Sequence, residues 1–235
     1  MTRRWRRDRL ARVTGALYLG FILASLAGDL LGHVGPSGGD AALRSVTEHP
    51  DRFRLGLLAA FVSALLFLLA AWGLYLLLRP VDDGLALLFL LLNAVGVAVQ
   101  SASMLALLGA LSLTDGASLQ AITAGQAEEA AALAIDVYAA GFATAQIFFG
   151  TWLFPLGYLV YRSGLLPRVL GLLLLLDGVG ILVWFAQALV LPEHDALSYP
   201  GLAVSLVAEV GLALWLLLRG VPREAEVGGQ GDLRP

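Results

Sequence analysis

The chain has 235 residues, of which 59% are hydrophobic and 14% are charged, and its formal net charge is −3 at pH 7. Soluble domains average about half apolar and about a quarter charged residues, so this composition excludes an ordinary soluble domain. It also excludes a disordered chain, because such chains are poor in apolar residues. The sequence contains neither Cys nor Lys. That absence excludes disulfides, a cysteine nucleophile and a Schiff-base enzyme.

Long apolar segments organise the whole chain. A transmembrane helix needs about 20 mostly apolar residues to cross a hydrocarbon core of roughly 30 Å. The sequence therefore predicts an all-α, polytopic membrane protein with six transmembrane helices. Residues 1–219 form the predicted transmembrane domain, and residues 220–235 are predicted to be a disordered cytoplasmic tail. The predicted spans are Leu10–Leu31, Phe53–Leu78, Gly84–Leu113, Glu129–Tyr161, Arg168–Leu191 and Pro200–Leu218.

Arginine is unevenly distributed over the connections between these spans. With the N-terminus inside, twelve of the fifteen arginines lie on cytoplasmic segments, and only Arg44, Arg52 and Arg54 lie outside. The positive-inside rule then predicts that both termini are cytoplasmic. The expected location is a bacterial plasma (inner) membrane, with the Arg-rich start of the chain near Trp5 against anionic lipid headgroups. No basic face for nucleic acid is present, and a homo-oligomer is left open.

The fourth span carries the most specific local pattern. Its residues 148–158 read FFGTWLFPLGY and are followed by YRSG at 161–164. Glycines in this span predict close approach of a neighbouring helix. Aromatic residues at its cytoplasmic end predict an interfacial belt, consisting of Trp152, Tyr158 and Tyr161.

This stretch, together with RLARVTGALYL at residues 9–19, resembles a bacterial family, domain-of-unknown-function family 4386. The resemblance covers nearly the whole chain. It implies a six-helix bacterial inner-membrane protein and no assigned activity. Glu209 matches the family pattern, whereas Asn93 and Asp177 depart from it, so a site built on those two residues would be peculiar to this protein.

Polar residues inside the predicted spans are the candidate functional residues. At a rise of about 1.5 Å per residue, Asn93, Asp177 and Glu209 lie roughly 14–15 Å deep, near the bilayer midplane. The cytoplasmic half of the spans has almost no polar residue. The pattern therefore predicts a polar cavity that opens outward and has these three residues at its floor. A second predicted layer lies nearer the outer surface and consists of Asp29, Gln100, Gln146 and Gln187, with Asp136 further out.

No arginine lies at the depth of these carboxylates to neutralise them. Charged groups at that depth are costly, which predicts a proton-coupled or cation-binding site. Glu209 is the first candidate, followed by Asp177, Asn93 and Asp136. The predicted function is a non-enzymatic membrane protein that binds or transports a small molecule or cation through the outward-facing cavity. The alternative is a structural or accessory membrane subunit whose polar residues only hold helices together.

Histidine supplies no metal-site pattern. His33, His49 and His194 all fall in outer segments, and no pair has the spacing of ligands on one helix. We therefore predict no metal, no other cofactor and no catalytic residue. A membrane metal-dependent hydrolase remains the last alternative.

Overall fold

The computed structural model of the chain describes residues 2–35, 39–114, 123–191, 193–197 and 199–221. Over these residues the protein is helical and contains no strand. Six of its helices are long and apolar enough to cross a membrane, which confirms the all-α fold with six spans. In chain order the helices are α1 (Thr2–Gly32), α2 (Gly39–Glu48), α3 (Pro50–Leu78), α4 (Asp83–Thr114), α5 (Ala124–Ser163), α6 (Arg168–Val190) and α7 (Tyr199–Leu218), with a short 3-10 turn at Asp195–Leu197.

The helix α2 was not predicted from the sequence. It has 10 residues, too few to span a bilayer, and buries Ala42, Ser45 and Val46. Helices this short are marginal in isolation and depend on packing. α2 contacts α1, α3, α4 and α5, and these tertiary contacts stabilise it. The Gly-rich sequence before α2 is typical of a loop, which is why the sequence did not predict a helix there.

The six spanning helices contact one another as a closed ring in chain order. α1 packs against α3, α3 against α4, and so on to α7, which returns to α1. The short inner connections make sequential neighbours antiparallel. One end of the bundle, called the Arg-rich end here, therefore carries Arg12, Arg79, Arg162, Arg168 and Arg219, whereas Arg44, Arg52 and Arg54 lie at the opposite end, called the far end.

The last described residues pack against the start of the chain at the Arg-rich end. Gly220 has a φ of 66° and lies against the carboxylate of Asp8. The rest of the predicted disordered tail, residues 222–235, lies outside the described residues.

An aromatic cluster fills the core between α1, α3, α4 and α5. Trp152 is fully buried and meets Phe67 edge-on, with ring centroids 5.2 Å apart. The expectation that Trp152 belongs to an interfacial belt was therefore wrong. Tyr158 and Tyr161 are exposed, and their rings lie under the guanidinium groups of Arg162 and Arg168, each 5.7 Å away. The two tyrosines are on a different helix face from Trp152, because six and nine residues turn an α-helix by about 240° and about 180°.

Glycines bring neighbouring backbones together. A Cβ atom added to Gly56 of α3 would lie 2.7 Å from the Cα of Gly32 on α1. A Cβ atom on Gly157 of α5 would lie 2.8 Å from the carbonyl oxygen of Gly171 on α6. No side chain fits at such contacts, so glycine sets the distance between these helices.

Candidate functional site

A cavity of about 310 Å³ lies between α1, α3, α4, α5 and α7 and reaches the segment that follows α1. Its lining is mainly apolar and includes Phe21, Met104 and Phe142. None of the described lining residues is Arg, Lys or His. The polar lining residues are Ser25, Asp29, Ser63, Gln100 and Glu209.

Glu209 supplies a carboxylate to the cavity from the middle of α7. It lies ten residues after the start of that helix, or roughly 15 Å along its axis. The next residues along this side of α7, Leu212 and Ala213, are fully buried. The backbone of α7 there comes within contact distance of Gly15 on α1. This packing fixes the rotation of α7 and thereby turns Glu209 toward the cavity.

Asp29 supplies the second carboxylate, nearer the far end of α1. Gly35 folds back beside it, and a Cβ atom on Gly35 would collide with the Asp29 carboxylate oxygen. Both Gly35 and its neighbour Val34 line the cavity. The turn after α1 therefore borders the cavity beside this carboxylate.

The structure does not place Asn93 and Asp177 at the floor of the cavity, and that expectation is corrected. Both residues are completely buried, and neither lines the cavity. Their side-chain polar atoms make no hydrogen bond of ordinary geometry with any residue that the structure describes. Helix α6, which carries Asp177, contributes nothing to the cavity lining. Position along a helix follows from counting residues, whereas the direction in which each side chain points depends on how the helices pack.

Tyr18 is a polar residue of the site that sequence reasoning missed. It is fully buried, and its ring packs edge-on against Phe21 and Phe67 at centroid distances of 5.6 Å and 5.9 Å. Its hydroxyl lies beside Glu209 and within electrostatic reach of Asp177. Ser205 of α7 lies close to Asp177. A tyrosine in the middle of an apolar span was the available signal.

The second polar layer divides into two groups. Asp29 and Gln100 line the cavity, as predicted. The amide nitrogens of Gln146 and Gln187 instead donate hydrogen bonds to carbonyl oxygens of their own chain segments, Phe142 at 3.1 Å and Leu191 at 3.0 Å. Both amides therefore bond within their own chain segments, and neither residue lines the cavity.

Asp136 lies apart from the cavity and is exposed on α5. That helix has 40 residues and is about 60 Å long, roughly twice the hydrocarbon thickness. Asp136 is in its first third, toward the far end, where Ala131 and Ile135 of the same helix are buried and Asp136 is on the exposed face. Among the described residues, no three His, Cys, Asp or Glu side chains gather as a metal site would require.

Comparison with known proteins identifies relatives without an assigned activity. A family model described as "Domain of unknown function (DUF4386)" matches residues 13–220. An uncharacterized protein of Archaeoglobus fulgidus is 27% identical over 165 residues, which are 68% of this chain and 80% of that protein. No solved structure matches the chain.

Proposed function

The chain belongs to the DUF4386 family, and we propose that this multi-pass membrane protein binds a small organic cation in the cavity between its helices. One observation carries the proposal. Glu209 and Asp29 line a single cavity whose described lining contains no basic side chain. We propose a binding or transport role and no enzymatic one.

The cost of an isolated carboxylate away from water supports a cationic ligand. Such a group is accommodated when it meets a proton or a positive charge. The apolar lining includes two aromatic rings, Phe21 and Phe142, and the thioether of Met104. Aromatic faces attract cations, and methionine adapts to irregular apolar shapes. These groups suit a cation with an apolar body better than a bare metal ion, which prefers six or more oxygen ligands.

The volume of the cavity is also suited to a small molecule. Ligand pockets span roughly 300–1,000 Å³, and this cavity, at about 310 Å³, lies at the lower end of that range. Transport is the extension of the proposal. The buried Tyr18 hydroxyl lies beside Glu209 and within electrostatic reach of Asp177, which supports proton coupling behind the binding site.

The experiment uses benzyltrimethylammonium as the probe and its uncharged isostere neopentylbenzene as the control ligand. Binding to the purified protein is measured by calorimetry. We expect the cation to bind and Glu209→Gln to weaken its affinity at least about tenfold, a loss of about 1.4 kcal/mol. Glu193→Gln is the matched control, because Glu193 is exposed after α6, outside the cavity lining.

Two results would contradict cation binding. One is equal affinity for the charged and uncharged probes, and the other is unchanged binding by Glu209→Gln. Either result would favour the accessory-subunit function. The complete burial of Asn93 and Asp177 within the bundle supports the accessory-subunit function.

We also propose a bacterial plasma membrane as the location, with both chain termini in the cytoplasm. The distribution of arginine between the two ends of the bundle supports this orientation. In that orientation the Arg-rich end meets anionic headgroups of the inner leaflet, and the cavity lies in the outer half.

A further inference from the structure

A second pocket, of about 280 Å³, lies at the far end between the end of α1, the helix α2 and the first turn of α3. It shares no lining residue with the cavity described above. We propose that this pocket is a binding site for a phosphate group. The polar residues that line it are His33, Arg44, Ser45, Glu48, His49 and Arg52.

The charges in this pocket run against the general distribution of arginine in the chain. Of the arginines that the structure describes, three lie at the far end, and two of them, Arg44 and Arg52, line this pocket. The third, Arg54, forms an ion pair with Asp51 at 2.8 Å and does not line it. Cationic residues are disfavoured on the translocated side of a membrane protein, so two that converge on one pocket need a local reason.

The guanidinium groups of the pocket are available to a ligand. In the part of the chain that the structure describes, neither Arg44 nor Arg52 forms an ion pair. When the two histidines are counted as neutral, two arginines against the single carboxylate of Glu48 give the pocket an excess positive charge. Arginine binds phosphate oxygens through two parallel N–H donors. The imidazoles and the buried hydroxyl of Ser45 add further donors.

His33 contributes an imidazole to the pocket from the end of α1. His33 has a φ of 52°, and it is the only non-glycine residue with a positive φ among those described. Its N–H donates to the carbonyl oxygen of Asp29 at 2.9 Å and so ends α1. Glycine is the residue that occupies this left-handed position at least cost. The next N–H, of Val34, donates to the carbonyl oxygen of Gly28 at 3.4 Å, so the left-handed residue belongs to the end of α1 and places its imidazole in the pocket.

Two sources can supply the phosphate group. One is a free phosphate or phosphomonoester, and the other is a phospholipid headgroup, since the pocket lies where the spanning helices end. Both share the tetrahedral anion that two guanidinium groups recognise. The proposal does not depend on the cation-binding function, because the two sites use different residues.

Binding to the purified full-length protein in neutral detergent tests the proposal, with inorganic phosphate and short-chain phosphatidylglycerol as separate probes. We expect Arg44→Gln and Arg52→Gln each to weaken binding at least about tenfold. Arg54→Gln is the matched control, because it removes the same charge from the same surface outside the pocket, and its affinity should stay within about twofold. Glu48→Gln should strengthen binding several-fold, because it removes the one negative charge from the pocket.

The His33→Gly variant separates a ligand role from a structural one. We expect it to raise the melting temperature of the free protein by relieving the left-handed backbone, and to weaken phosphate binding. Unchanged binding by this variant would overturn the assignment of His33 to the site.

The two probes distinguish the sources of the phosphate group. Tighter binding of phosphatidylglycerol assigns the pocket to a lipid headgroup, and equal or tighter binding of inorganic phosphate assigns it to a soluble phosphate. Binding of neither probe overturns the proposal. An equal loss in Arg54→Gln and Arg44→Gln also overturns it, because that result indicates general surface charge.

Discussion

Asp177 and Glu209 are acids at similar depth on neighbouring helices, and their surroundings differ. Glu209 faces a cavity with a second carboxylate, while Asp177 is completely buried and lacks a hydrogen bond of ordinary geometry among the described residues. A buried charge without a partner lowers stability. A residue that lowers stability either serves the function of the protein or has its cost offset by neighbouring groups. Replacing the residue and measuring stability distinguishes these two cases.

The variant Asp177→Asn tests this difference at the residue scale. We expect it to raise the free energy of unfolding by roughly 1–3 kcal/mol, because the amide keeps the shape of the side chain and removes its charge. The measurement is thermal unfolding in one detergent. Asp136→Asn is the control, since Asp136 is exposed, and its effect should stay within about 0.5 kcal/mol. A lower stability of Asp177→Asn would show instead that this acid bonds the helices together.

Helix pairs in this bundle are held at distances that only glycine permits. The helices α1 and α3 approach closely at Gly32 and Gly56, where a Cβ atom on Gly56 would lie 2.6 Å from the backbone nitrogen of Gly32. Backbone cannot move away as the end of a flexible side chain can. Van der Waals packing drives helix association in lipid. Burying apolar surface there gains little free energy, because the lipid tails are themselves apolar. Such contacts therefore carry much of the stability of the bundle.

The pair Gly56→Ala and Gly109→Ala tests this at the scale of the helix. Gly56→Ala should destabilise the protein by at least about 2 kcal/mol, because the added methyl group overlaps the backbone of α1. Gly109 lies on α4 with nothing within 4 Å of its added Cβ atom. Gly109→Ala should therefore stabilise the protein by roughly 0.5–1 kcal/mol through helix propensity. Equal effects of both variants on thermal unfolding would contradict the role of Gly56 in close packing.

At the scale of the whole molecule, the closed ring of helices separates two ends of opposite character. The Arg-rich end carries exposed tyrosines under guanidinium groups. The far end carries α2 and the phosphate-binding candidate, and the cavity reaches the turn after α1 at Gly35. If the far end faces outward, both candidate sites meet their ligands from outside the cell.

Single-cysteine labelling checks this orientation, because the chain has no native Cys. Thr47→Cys places one thiol on the exposed side of α2, and Val81→Cys places one in the exposed turn between α3 and α4. In intact cells we expect a membrane-impermeant maleimide to label Thr47→Cys and to leave Val81→Cys unlabelled. Cell lysis serves as the control, since it should make both thiols reactive. The reverse pattern would invert the proposed topology.

Local properties of the sequence were sufficient to predict the spans. Each span depends on its own length and hydropathy, because a helix in lipid satisfies its backbone hydrogen bonds by itself. The predicted limits of α6 and α7 agree with the structure to within one residue. The start of α5 was placed five residues late, at Glu129, because the polar first turns of that helix project beyond the apolar core.

The sequence by itself determined the fold class, the number of spans, the depth of each polar residue along its helix and the membership of the family. Only the tertiary structure decided which of those residues share a cavity. Glu209, Asp29 and Gln100 face one space, whereas Asp177 and Asn93 are sealed within the bundle. The physical reason is that depth follows from counting residues along one helix. The direction of a side chain follows from the rotation of its helix about the helix axis. That rotation is set by contacts between helices, which here are made by glycines and by aromatic rings.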